Sequence, residues 1–271
     1  MSYFKEHGKT LLAHHYMIVP IKQGLKRPVM DGWQNVRLTA SDIPRFANQG
    51  VGILTGQGPF PICAVDIDVT DADLSHQFAE WCRDNLGVSC ERVGNAPKIL
   101  LVYRAEDSDW GKSTSAWFAD PAEADKPFKE IHKHRIEVLG RGQQFVAYHV
   151  HPDTGKPYEW VDFFGGLTEF AANALPTITK EQVEEAVKAF ERISREYRQM
   201  QESGKDDAKI SRNYMNALEQ MDQQDGWQVE QEARIILSKL GFPDVEQKVA
   251  MLSGGQKRRL ALGQALLYPC D

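Results

Sequence analysis

No run of 18 consecutive apolar residues occurs in this 271-residue chain, which excludes a helix that spans a bilayer. The first residues are polar and carry His7, Lys9, His14 and His15, unlike the basic, apolar, small-residue succession of a secretory signal. A cytoplasmic location with no membrane partner is therefore expected. Cysteine is scarce: Cys63, Cys82, Cys90 and Cys270 show no CxxC spacing, which speaks against a zinc site or a disulfide framework and leaves reduced thiols. Neither charge sign dominates. The formal net charge of -6 neither implies nor excludes a polyanionic partner, which needs a local basic groove rather than a basic whole. A G-x-x-x-x-G-K-[ST] phosphate loop is also missing, so ATP hydrolysis of that type is not expected.

What the chain does have is Cys63-Ala64-Val65-Asp66-Ile67-Asp68-Val69, two carboxylates one residue apart in an apolar run. Strand side chains alternate faces, so Asp66 and Asp68 share one face while Val65, Ile67 and Val69 share the other. Adjacent carboxylates repel unless cations sit between them, and hard oxygen ligands of this kind suit Mg²⁺ or Mn²⁺. A solvated strand end is the other reading of the pair. Glu137, among Ile136, Val138 and Leu139, is a carboxylate on a second apolar strand. It fits either a third oxygen ligand or an ion pair with Arg135 or Arg141.

Around these, turn signals and short apolar runs predict strands at 17–21, 51–55, 62–69, 99–103, 136–139 and 144–150. A helix capped by Asp71 or Asp73 is expected to reach about Asn85, with Leu74, Phe78, Trp81 and Cys82 on one face. Residues 107–133, with Trp110, Trp117 and Phe128, lack periodicity and read as a long surface excursion. Thr179 and Gln182 fit a capping box, followed by Val183, Val187, Phe190, Ile193 and Tyr197 at helical spacing. That helix is expected to fray near Ser203-Gly204, with a charged linker over 202–211. Further helix is expected at 212–221 and 228–240 before Gly241-Phe242-Pro243 breaks it. The fold class is α+β: a central mixed or antiparallel sheet flanked by helices, plus a helical C-terminal region. Three parts follow, at 1–178, 179–221 and 222–271.

An ordered series of motifs covers the first part. Lys26-Arg27-Pro28, Gly32-Trp33 and Gly50-Val51-Gly52-Ile53-Leu54-Thr55-Gly56 precede the Asp66/Asp68 strand. Arg92-Val93-Gly94-Asn95-Ala96-Pro97-Lys98 and Leu101-Val102-Tyr103-Arg104 follow it. Ile136-Glu137-Val138-Leu139-Gly140, Gln143-Gln144-Phe145-Val146-Ala147 and the stretch from His151 to Trp160 complete it. This series resembles the N-terminal catalytic domain of the bifunctional DNA primase/polymerase family, within the archaeo-eukaryotic primase superfamily. The resemblance implies a primase-polymerase fold and template-directed nucleotidyl transfer by a two-metal mechanism, in the replication of a plasmid, phage or prophage-type element. Asp66, Asp68 and Glu137 would be the catalytic metal ligands for Mg²⁺ or Mn²⁺. Single-stranded DNA, nucleoside triphosphates and a separate replicative helicase are the implied partners.

Arg92 and Lys98 are the candidate triphosphate contacts, because cations beside a transferring phosphoryl group stabilise its charge. Gly142 in a glycine turn, Gln144 and His151 are further candidate nucleotide-binding residues. For Gly142 the plain alternative is a hairpin glycine. His149 and His151 sit two apart, as either a metal pair or a turn with one substrate-facing histidine. Trp33, Tyr158 and Trp160 could stack bases or pack the core and rim. One departure stands out: no histidine lies between His76 and His132, where better-known superfamily members carry one after the DxD. The alternative function is therefore a catalytically degenerate, single-stranded nucleic-acid-binding replication accessory protein.

The C-terminus carries a different signature. Leu252-Ser253-Gly254-Gly255-Gln256-Lys257-Arg258-Arg259-Leu260-Ala261-Leu262 resembles the signature helix of ABC-type ATPases, and 226–271 the helical subdomain around it. Without a phosphate loop an isolated signature helix hydrolyses nothing, and no catalytic group is expected from this part.

Overall fold

The computed structural model describes residues 2–107, 109–119, 126–127, 130–161, 165–202, 236–242, 253, 256 and 259–260. Residues Met1–Gln199 form one compact unit and Met200–Asp271 a second.

In the first unit the chain enters as helix α1 (Tyr3–Ala13) and strand β1 (Ile18–Ile21), then runs through a 3-10 turn, Ala40–Phe46, into β2 (Gly50–Leu54) and β3 (Ile62–Asp68). Helix α2 (Ala72–Leu86), β4 (Cys90–Val93) and β5 (Ile99–Ala105) follow. The remainder is β6 (Ser113–Thr114), β7 (Phe118–Ala119), β8 (Lys133–Leu139), β9 (Gln144–Tyr148), β10 (Glu159–Val161), β11 (Thr177–Ile178) and α3 (Lys180–Glu202), of which all but the last three residues belong to this unit.

The main sheet has the order β10-β4-β5-β3-β8-β6, antiparallel throughout, with β11 added parallel to β5 and β7 pairing β8. A smaller antiparallel sheet, β1-β2-β9, faces it. This is a mixed α+β domain built on a largely antiparallel sheet flanked by helices.

Alternation along β3 sets everything that follows. Cys63, Val65 and Ile67 face a core shared with Leu74, Phe78 and Cys82 of α2 and with Val183 and Phe190 of α3. Ile62 and Ala64 face the opposite core, shared with Phe4 and Leu11 of α1 and with the small sheet. Both helical layers begin with side-chain caps. Asp71 Oδ1 accepts the Leu74 amide at 3.0 Å, and the Tyr197 hydroxyl of α3 donates to the same carboxylate at 2.9 and 3.0 Å. Thr179 and Gln182 close a reciprocal capping box, at 3.0 Å from the Thr179 amide to Gln182 Oε1 and 3.2 Å from the Gln182 amide to Thr179 Oγ1.

The described part of 107–133 is less superficial than its polarity suggests. Trp110 is buried in the α2/α3 core, and β6 and β7 extend the edge beside β8. Phe128 lies outside the described residues. Cys63, Cys82 and Cys90 are buried and form no disulfide among the described residues.

In the second unit, helix is described at 236–239, and Gly241 follows it in the left-handed region at φ 76°. Ser253 and Gln256 form another reciprocal cap, at 2.8 and 3.2 Å. Residues 203–235 lie outside the described residues, and with them all but the first residue of the expected linker at 202–211, the expected helix at 212–221 and most of that at 228–240; so do Pro243, Gly254-Gly255, Lys257-Arg258 and Cys270. No described helix is long and apolar enough to cross a membrane.

Candidate nucleotidyl-transfer site

The core face of β3 that buries Ile62 and Ala64 opens, two residues further on, into a cavity of about 410 Å³ at Asp66 and Asp68. Register does the rest. Asp66 stands opposite Glu137 on β8 and, on its other side, opposite Leu100 of β5, which in turn stands opposite Arg92 of β4. Arg92, Leu100, Asp66 and Glu137 thus form one row across four strands. Neighbouring strands lie about 4.8 Å apart, and all these side chains emerge on the same face. Asp66, Asp68, Glu137, Arg92, Lys98, Gln144 and His151 all line this cavity. Gly142, at φ 82°, lies in a different one.

The carboxylates differ in their surroundings. Asp68 Oδ1 meets Lys98 Nζ at 2.8 Å and His132 Nε2 at 3.6 Å. Glu137 Oε1 meets Lys112 Nζ and Arg135 Nη2, each at 3.1 Å. The Arg135 partner is one that strand spacing suggested, and Arg141 takes no part. Asp66 has no ion pair among the described residues. Burial pushes its carboxyl up to about 6, with Arg92 pulling it down and Asp68 and Glu137 pushing it further up.

Around the same cavity stand cations and an imidazole. Arg92 is buried, donates to the Val146 carbonyl of β9, and lies 4.4 Å from the Tyr158 ring centroid and 5.9 Å from that of Phe145. Its Nε has no hydrogen-bond partner among the described residues, an unspent donor beside the cavity. Burial lowers the Arg92 pKa while Asp66 raises it. His151 Nδ1 accepts the amides of Asp153 and Thr154 at 3.2 and 3.4 Å, so the neutral ring carries its proton on Nε2. Burial depresses its pKa, and Lys26, Arg92 and Lys98 depress it further against Asp153. Gly94 lets this wall close up, since a Cβ there would stand 2.3 Å from Tyr158 Cε1 and 2.8 Å from His151 Cδ2.

Other candidates have structural duties. Gln144 Nε2 donates to the Lys26 carbonyl at 2.9 Å, tying β9 to the loop after β1. His149 bonds the Lys22 carbonyl at 3.2 Å and meets Tyr3 edge-on, so it does not pair with His151. Trp33 packs against the small core around Val19 and Leu54, and Trp160 against Tyr148, whereas Tyr158 lines the cavity. Lys26, Asn95 and Asp153 also line it and were not singled out from the sequence, although Lys26 opens the first motif of the series.

Three carboxylates on one wall offer the hard-oxygen donors that Mg²⁺ or Mn²⁺ prefers. In their present rotamers, no three His, Cys, Asp or Glu side chains among the described residues converge on a common metal position. Protein cations neutralise two of the three carboxylates instead.

The family model for the bifunctional DNA primase/polymerase N-terminal domain matches residues 9–175, well over half of the chain. The chain belongs to this family, a nucleotidyltransferase family that typically uses divalent metal ions. A second likeness is of another kind: 40% identity over 80 residues to an uncharacterized ABC transporter ATP-binding protein, YfmR, of Bacillus subtilis (strain 168). That match takes in 28% of this chain and only 13% of the length of that protein.

Proposed function

We propose that the chain carries out metal-dependent, template-directed nucleotidyl transfer, as a DNA primase and polymerase serving a plasmid, phage or prophage-type element. The observation that carries this reading is the cross-strand row from Arg92 to Asp66 and Glu137, with Asp68, Lys98 and His151 around the same cavity. Asp66, Asp68 and Glu137 would hold the ion or ions. A bound divalent ion would supply Lewis-acid charge against the triphosphate and the attacking 3′-hydroxyl.

The chain's own residues do the rest. The unspent Arg92 Nε–H, the Lys98 ammonium and the His151 Nε2–H are donors for phosphate oxygens. The 3′-oxygen forms its bond to the α-phosphorus, the bond from that phosphorus to the β-phosphate's bridging oxygen breaks, pyrophosphate departs, and the hydroxyl proton passes to solvent. Lys98 has two roles in this scheme, counter-ion to Asp68 before the nucleotide arrives and phosphate ligand afterwards. Lys98→Gln is therefore expected to move two affinities in opposite directions. Mn²⁺ binding, followed by the electron paramagnetic resonance of the free ion, tightens about two- to fivefold as a competing ammonium is lost. Nucleotide KM rises about tenfold through loss of a charge-assisted hydrogen bond. A change of both in the same direction contradicts the double role.

The test of the function is extension of a primed DNA template and dinucleotide synthesis on single-stranded DNA, with Mg²⁺ and with Mn²⁺. The ion pairs at Asp68 and Glu137 favour a second reading, a non-catalytic single-stranded nucleic-acid-binding accessory protein. Intact DNA binding with no incorporation and no metal-dependent nucleotide binding would select it.

A further inference from the structure

A second cavity, of about 270 Å³, lies on the other side of the β8–β9 turn. Leu139 and Gln143 line the carboxylate cavity, whereas Arg141 and Gly142, between them, line the second. One turn is the wall of both. Gln34, Asn35, Arg37, Gly56, Gln57 and Gly58 complete the lining, and no carboxylate belongs to it. In a chain of net charge -6, two arginines without an ion pair among the described residues make this a local cationic hollow.

The hollow is held in shape from below. A Cβ at Gly56 would fall 2.4 Å from Arg141 Cα, so the β2–β3 and β8–β9 turns press backbone to backbone. Thr55 Oγ1 donates to the Gly140 carbonyl, the Thr55 amide to the Gln143 carbonyl at 3.1 Å, and the Arg141 amide to the Trp110 carbonyl at 3.0 Å. Gln57 Nε2 donates to the Gln34 carbonyl at 2.8 Å, tying the third segment in. The Arg37 and Arg141 side chains remain exposed above this platform.

We propose that this hollow binds the phosphodiester backbone of the single-stranded DNA that leads into the carboxylate cavity. The inference rests on the nucleotidyl-transfer reading for its choice of polymer. Guanidinium groups grip phosphate oxygens with two donors each, and the amides of Gln34, Asn35 and Gln57 can both donate to and accept from sugars and base edges. The shared turn places this strand-binding surface directly beside the nucleotide cavity.

The experiment is a salt titration of the full chain binding a fluorescein-labelled oligo(dT) of about 20 nucleotides, read by anisotropy. Each phosphate contact on a single strand contributes about 0.7 to the slope of log K against log salt, so Arg37→Gln/Arg141→Gln is expected to flatten it by about 1.4. Affinity should fall about tenfold near 0.1 M salt. Lys5→Gln/Lys9→Gln, which removes the same charge from the exposed face of α1, should leave the slope unchanged. An unchanged slope in the arginine pair, or equal flattening in the lysine pair, overturns the proposal. So does an arginine-pair variant that weakens free dATP binding but not oligo(dT) binding, which assigns the hollow to nucleotide phosphates. Asp66→Asn keeps the two ideas apart: oligo(dT) binding with the wild-type slope but wild-type extension activity would sink the catalytic assignment alone. A wild-type chain that does not bind oligo(dT) loses both the template partner and this site.

Discussion

Asp66→Asn is expected to lower primer extension about 10³-fold, roughly 4 kcal/mol of transition-state stabilisation, while making the metal-free protein more stable. Both effects come from one carboxylate held where its charge is unfavourable without a cation. Its folded pKa of about 6 lies above the roughly 3.9 of an unfolded aspartate. The folded state therefore binds this proton more tightly. Its stabilising contribution is complete below about pH 4 and is lost as pH rises through 6. Wild-type protein in EDTA should lose stability across that window relative to Asp66→Asn. At pH 7.5 the variant should melt a few degrees higher, with about 1–2 kcal/mol allowed for a carboxylate that partly faces cavity water. Added Mn²⁺ should raise the wild-type melting temperature and leave that of the variant nearly unchanged. A variant that melts lower than wild type in EDTA contradicts the electrostatic account. Retained extension contradicts the catalytic one.

The β3 pattern was legible because it is local: alternation alone assigns Asp66 and Asp68 to one face, and five apolar neighbours declare the strand. The caps at Asp71 and Thr179 were legible for the same reason, since each satisfies amides three residues away. Helix α1 was hidden by its polar residues and by Gly8 in mid-helix. The missing side chain there lets Ile43 approach, a contact 35 residues distant that no local pattern records; a Cβ at Gly8 would stand 2.8 Å from Ile43 Cδ1. Strand β4 was hidden because it is four residues long and two of those are charged. The partners of the carboxylates were also out of reach. Lys112 comes from a segment without periodicity, and only the β6–β8 pairing brings it to Glu137. The second cavity joins three segments spread over more than a hundred residues. A glycine turn at Gly142 is legible in the motif, but which side of that turn faces the carboxylates is a matter of sheet packing.

Strand β4 carries the other large effect. Glu91 and Arg92 are adjacent and so point to opposite faces: Arg92 into the carboxylate cavity, Glu91 toward α2. There Glu91 is buried and receives both arms of Arg83, Nε to Oε1 at 2.7 Å and Nη2 to Oε2 at 2.8 Å. Burial lowers the Arg83 pKa, but the hydrogen bonds and charge of Glu91 outweigh it and the net shift is upward. Arg83→Met leaves Glu91 a buried, unpaired charge, which costs about 3–5 kcal/mol. At about 2–4 °C per kcal/mol for a domain of this size, the melting temperature should fall by roughly 10 °C. Arg83→Met/Glu91→Leu should recover most of that loss, because removing both charges also removes the cost of desolvating them. The same pair holds β4 in place behind Arg92, so nucleotide affinity should fall in the single variant and return in the double. A double variant that recovers stability without recovering nucleotide affinity would show that Glu91 acts on the site through its charge rather than by seating the strand. A double variant no more stable than the single would mean that the bidentate pair contributes specific stabilisation beyond compensating its own burial.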